Sequence, residues 1–118
     1  MNIRHLAATY IIAFISLAGV LNGQPGHSIS VTVDGAPHSG IRLAYHVGAQ
    51  QYVRDSLVAD NGGRCNFTGP DRLPPGVYMI VLPQNTFFEF LVGEDQHFDI
   101  RCDVKNPGAT LSFKGSDE

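Results

Sequence analysis

Cys65 and Cys102 are the two thiols of this 118-residue chain, and a thiol can serve as nucleophile, redox partner, metal ligand or cross-link. They stand 37 positions apart rather than in a Cys-x-x-Cys pair, which removes the usual arrangement for disulfide exchange. Local alternation sets Cys65 with Phe67 and sets Cys102 between Ile100 and Val104, so both thiols are expected to face a core. On neighbouring strands with Cα atoms about 4.4 to 6.8 Å apart, Cys65 and Cys102 would form a structural disulfide. Otherwise they are two buried, inert thiols, each behaving as a small hydrophobe. A catalytic redox role needs exposure and electropositive surroundings, and the flanking residues suggest neither.

His27, His38, His46 and His97 are the histidines beyond residue 23. No two share a metal-ligand spacing on one strand or turn, so solvated side chains are expected, with no metal or other cofactor. Ser56 follows Asp55 but has no glycine elbow and no local base, which argues against a serine nucleophile. No residue is therefore read as catalytic. A hydrolase would need at least two of the histidines to converge with an acid in one pocket. Asn66-Phe67-Thr68 matches an N-glycosylation acceptor, but Phe67 looks core-facing and the match reads as incidental.

The elements that would position these groups are strands. Short β-rich runs recur at about the 8 to 12 residue spacing of sandwiches and barrels, which predicts an all-β antiparallel sandwich of seven or eight short strands and no helix. Residues 28–33 place Ile29, Val31 and Val33 on one face, and residues 41–47 show the clearest period of two, with Ile41, Leu43, Tyr45 and Val47 on one side. In residues 52–59 the core side should hold Val53, Leu57 and Ala59, and Asp55 breaks the pattern as a bulge would. Asp60-Asn61-Gly62-Gly63 predicts a tight hairpin turn into residues 64–68. Three prolines make residues 69–76 a loop, and the continuously apolar 77–82 predicts a central strand. Residues 86–92 follow, where Phe88 and Phe90 share a face expected to be core while Phe87 looks the other way. Residues 97–104 alternate with one wet face, and residues 110–114 close the domain with Leu111 and Phe113 inward.

The first 23 residues read differently. Arg4 and His5 precede the uncharged run from Leu6 to Leu21, the pattern of an export signal and too short for a comfortable membrane span. Cleavage after Gly23, with Ala18 the alternative site, would leave one domain, residues 24–118, in the periplasm or cell envelope. Arg4 is the one Lys/Arg of eight inside the signal, so seven basic residues face eleven acids in the remainder, a formal charge of −4. No basic cluster occurs, which makes nucleic acid a poor partner.

From about Ser28 onward the chain resembles the N-terminal β-sandwich domain, of unassigned function, that precedes the thioredoxin-like domain in exported TlpA-type thiol-disulfide oxidoreductases of Bacteroidota. The likeness rests on Leu43-Ala44-Tyr45, Asp55-Ser56 before the Asp60-Asn61-Gly62-Gly63 turn, and Gly76-Val77-Tyr78. It continues through Phe87-Phe88-Glu89-Phe90-Leu91-Val92 and the closing Phe113-Lys114-Gly115-Ser116-Asp117-Glu118. The resemblance implies a non-catalytic accessory domain, with the catalytic Cys-x-x-Cys in a downstream thioredoxin-like domain and this chain the N-terminal part of a longer protein. Cys65 and Cys102 match no catalytic position and inherit no role. The alternative is a stand-alone envelope adhesion or carbohydrate-binding module, since fold alone does not settle function.

Overall fold

In β1 (His27–Asp34) buried and half-buried residues alternate without a break, and Ile29, Val31 and Val33 are wholly inaccessible to solvent. The computed structural model describes residues 24–115, in which eight strands form two four-stranded sheets packed as a sandwich. The expected signal, residues 1–23, lies outside the described residues. The first sheet has the order β4-β1-β7-β8, with β4 (Arg64–Gly69), β7 (His97–Asp103) and β8 (Ser112–Lys114). The second has the order β3-β2-β5-β6, with β2 (Gly40–Val47), β3 (Gln50–Val58), β5 (Gly76–Val81) and β6 (Phe87–Val92).

The all-β sandwich agrees with the strand periodicity, with one departure from a purely antiparallel arrangement: β1 and β7 pair in parallel. Parallel neighbours need a long crossover. Here the chain supplies it by visiting the second sheet twice between β1 and β7. The same route corrects the reading of residues 60–63. They do not close a hairpin, because β3 and β4 belong to different sheets; they carry the chain from one layer to the other. Asp60 caps this corner by accepting bonds at Oδ1 from the amides of Gly62 (2.8 Å) and Arg64 (3.0 Å). Gly63, at φ 75°, lies so close to β1 that a Cβ would fall 2.2 Å from the Val33 carbonyl oxygen.

A single-turn helix, α1 (Pro107–Thr110), and a 3-10 turn at Pro83–Asn85 interrupt the expected helix-free chain. The helix takes the start of the predicted last strand, which shortens to β8. The central position predicted for the apolar segment holds: β5 lies between β2 and β6, with Tyr78 and Ile80 in the core and Met79 also buried on the opposite face.

Between the sheets Ile29, Val31, Ile41, Leu43, Phe67, Ile80 and Ile100 form the centre of the core. Burying each such side chain stabilises the fold by about 1.5–3 kcal/mol. An aromatic row crosses the inner face of the second sheet, where Tyr52, Tyr45, Tyr78 and Phe90 are successive cross-strand partners. Their ring centroids are 5.6, 6.0 and 6.4 Å apart, and Phe90 continues the row to Phe98 at 6.0 Å and Phe113 at 6.3 Å in the first sheet.

The loop between β4 and β5 has too many prolines for a ladder and is instead tied down by side chains. Gln96 is 1% exposed; its Oε1 accepts the Leu73 amide at 2.8 Å, and its Nε2 donates to the carbonyls of Leu73 and Gly93, each at 2.9 Å. Tyr78 donates its hydroxyl to the Pro74 carbonyl at 2.7 Å, and His27 donates Nδ1–H to the Asp71 carbonyl at 2.7 Å. Leu73 is thereby seated in the core while Pro74 and Pro75 stand exposed beside β5.

Candidate functional site

The structure keeps both cysteines as free thiols, half-buried Cys65 and buried Cys102. Both face the core as the alternation implied, but β1 runs between their strands: Cys65 is level with Val31 from one side, and Cys102 with Val33 from the other. Two strand spacings of about 4.7–4.9 Å hold the Cα atoms well beyond the reach of a disulfide, about 7 Å. Of the two readings left open by the sequence, the fold takes the buried-thiol one. Burial pushes each thiol up to about 11, with Asp60 and Asp55 adding to the effect at Cys65, and Asp34 and Asp103 at Cys102. A thiolate is disfavoured at both positions, so neither has the makings of a nucleophile.

The histidines scatter. His27 opens β1 and, contrary to the expectation of a solvated ring, is 6% exposed and committed to the Asp71 carbonyl. His38 lies in the β1–β2 connection, and His97 starts β7 with Nε2 2.9 Å from the Pro25 carbonyl oxygen. His46 is the penultimate residue of β2, its Nε2 3.3 Å from Glu89. Among the described residues no group of three His, Cys, Asp or Glu side chains is placed to hold a metal ion. Ser56 is exposed on β3, and Asp55 Oδ1 accepts its backbone amide at 2.8 Å.

What the fold builds instead is a surface on the second sheet. Cross-strand register aligns Val53, Ala44, Met79 and Glu89 in one row of its outer face, with Arg42, Val81 and Phe87 in the next. Ala44 and Met79 are a buried floor, 3% and 1% exposed, while Val53, Val77, Phe87 and Leu91 rise around them at 43–69% exposure. A groove of about 390 Å³ runs over this floor, and Arg42 on its wall donates Nη2–H to Asn85 Oδ1 at 3.3 Å. Isolated exposed apolar residues are ordinary, whereas a contiguous set over a buried floor marks a contact surface.

Val53 stands on this outer face through a bulge. Leu43 pairs with Asp55 and Ala44 with Val53, so Arg54 is an extra residue with no cross-strand partner. The slip in pattern at Asp55 did signal the bulge, but the assignment of Val53 to the core is corrected: the inserted residue reverses the alternation before it, and Val53 is 56% exposed.

The same insertion places Arg54 at a second concavity, a cleft of about 330 Å³ where the β2–β3 hairpin meets the Pro74–Pro75–Gly76 segment. Tyr45 and Tyr78, from the middle of the aromatic row, line it with Arg54, His46, Val47 and the two prolines. Burial raises the Tyr78 phenol above its ordinary value, and the positive charge of Arg54 acts against that rise, which reports that the guanidinium lies near the ring. Sequence reading missed Arg54 and Gln96. The bulge signal could have found the first; nothing local distinguishes Gln96 from a solvated turn residue.

No family model matches the chain, and no curated protein matches it. Among solved structures it is similar to (S)-allantoin synthase, with a TM-score of 0.53 and 14% identity over 79% of this chain and 46% of that one. It is also similar to the 5-hydroxyisourate hydrolase of Klebsiella pneumoniae, with a TM-score of 0.46 and 17% identity over 78% and 95%. The chain spans about half the length of the allantoin synthase. At such identities the likeness is one of fold, and fold does not transfer function.

Proposed function

We propose that this chain is a non-catalytic accessory domain of an exported thiol-disulfide oxidoreductase, acting by positioning a downstream thioredoxin-like domain or its protein substrate. The reading joins the sequence resemblance to one observation of the fold: the exposed apolar ring of Val53, Val77, Phe87 and Leu91 over the buried floor of Met79 and Ala44. Such a face favours a protein partner, because it offers apolar area rimmed by polar pairs, Arg42 with Asn85 and Glu89 with His46, the composition of a docking surface. The thiol chemistry of the whole protein would belong to a Cys-x-x-Cys in the downstream domain, since half-buried Cys65 and buried Cys102 are both held protonated.

The test is the coding frame beyond the codon for Glu118. Continuation into a domain containing Cys-x-x-Cys is the expected result. A native stop codon would overturn the proposal and favour a stand-alone adhesion or carbohydrate-binding module.

A further inference from the structure

The cleft beside Tyr45 and Tyr78 has the parts of a small-molecule site, and among the described residues its cation, Arg54, is in no ion pair. Among the described residues the ion pairs are His46 with Glu89 and Arg101 with Asp34, so no carboxylate sits within ion-pairing distance of Arg54. Arg54 also borders a neighbouring hollow lined by Asp55 and Asp71, neither of them in an ion pair with it. Asp55 accepts the Ser56 amide and lies close enough to Cys65 to raise its pKa, while Glu89 meets His46 on the outer face.

The walls are preorganised. Tyr45 is stacked on Tyr52, with 27° between ring planes, and Tyr78 is fixed by its hydrogen bond to Pro74. That bond also sets the Pro74–Pro75 wall, whose φ angles are already restricted by the proline rings. Gly76, at φ 153°, also lines the cleft and has open space where a Cβ would stand. A volume of about 330 Å³ is at the lower end of small-molecule sites, roughly 300–1,000 Å³, lined as they are by apolar surface with a few polar groups.

We propose that this cleft binds a carboxylate carried on an apolar, preferably aromatic, body: Arg54 takes the carboxylate in a two-pronged hydrogen bond, and Tyr45, Tyr78 and Pro75 take the body. A planar guanidinium matches a carboxylate geometrically, and charge assistance makes such bonds about twice as strong as neutral ones. The inference does not require the accessory role above: the cleft shares Val77 and His46 with the outer face, but Arg54, Tyr45, Tyr78 and Pro75 play no part in that role.

N-acetyl-phenylalanine and its uncharged amide are the first probes, titrated into the isotope-labelled chain with amide chemical shifts as the readout. Saturable shifts confined to Tyr45, Val47, Gly76, Val77 and Tyr78 are expected with the acid, and the amide should bind at least about tenfold more weakly. Arg54→Gln should keep the spectrum of a folded protein while abolishing the preference for acid over amide. An acetylated pentapeptide ending in phenylalanine separates the sources: tighter binding than the free acid indicates a peptide C-terminus, and weaker binding indicates a free small acid. Equal affinity for acid and amide, shifts that map elsewhere, or an unchanged preference in Arg54→Gln would each overturn the proposal.

Discussion

Replacing Gln96 by leucine removes one side chain and strips three backbone groups of their partners. The Leu73 amide and the carbonyls of Leu73 and Gly93 all bond to this one buried amide. Leucine fills a similar volume, so the cost is electrostatic and not a cavity. Each buried group left unsatisfied costs about 1–3 kcal/mol; with some relief as the loop yields to water, Gln96→Leu should destabilise the chain by about 3 kcal/mol. In a domain of 60–100 residues each kcal/mol moves Tm by roughly 4–8 °C, which gives a fall of about 12–24 °C. The chain has no tryptophan, so urea unfolding is best followed by circular dichroism. Hydrogen exchange supplies a local check: the Leu73 amide should lose its protection well before amides of β1. A loss below about 1 kcal/mol, or an unchanged Leu73 amide, would refute the view that Gln96 substitutes for the ladder that the prolines forbid.

Gly63→Ala should cost more than the usual loss of a left-handed glycine, because the added Cβ meets backbone, 2.2 Å from the Val33 carbonyl oxygen, and β1 cannot retreat from the middle of its sheet. About 3 kcal/mol is expected by denaturation, and a loss under 1 kcal/mol would show that the corner moves freely. Both cysteines should resist a disulfide-based thiol reagent in the native chain at neutral pH and react once it is unfolded, and intact-mass analysis should find two thiols without added reductant. Because burial raises both thiols from 9.0 to about 11, the fold binds these protons more tightly than the unfolded chain does. Their contribution is therefore fully present below pH 9 and is lost as pH rises through about 11; unfolding curves that do not weaken over this window would contradict it.

The legible part of this fold was whatever depends on unbroken alternation. β1 and β6 show it throughout and β2 as far as Leu43, and Ile29, Val31, Val33, Ile41, Leu43, Phe88 and Phe90 are buried as the period of two required, while Val47 at the far end of β2 is exposed. Alternation cannot say which sheet a strand joins, so the parallel β1–β7 pair and the change of layer at residues 60–63 were invisible. The same limit hid the distance between Cys65 and Cys102, since two core-facing thiols read alike whether their strands adjoin or have β1 between them. Gln96 was hidden for another reason. Its three hydrogen bonds reach residues of a loop 23 positions away and of its own turn, and their value comes from burial that only the assembled fold creates.

Arg54 connects both surfaces of the second sheet, and its removal tests the connection. Val53 faces Ala44 and Asp55 faces Leu43, so deleting Arg54 joins two partners that already stand at consecutive register positions. β3 is the edge of its sheet, with β2 its one ladder partner among the described strands, so the deletion breaks no second ladder. The shortened chain should therefore fold, within about 1 kcal/mol of the parent, and keep Val53 outward and Tyr52 on Tyr45. What it should lose is the cation of the cleft and with it any preference for a carboxylate over its amide. Loss of folding would mean that the bulge supplies a twist the sandwich needs, and a surviving preference would mean that another group recognises the anion. Retained folding with the preference gone would identify the inserted residue as a device for placing charge beside an otherwise regular strand.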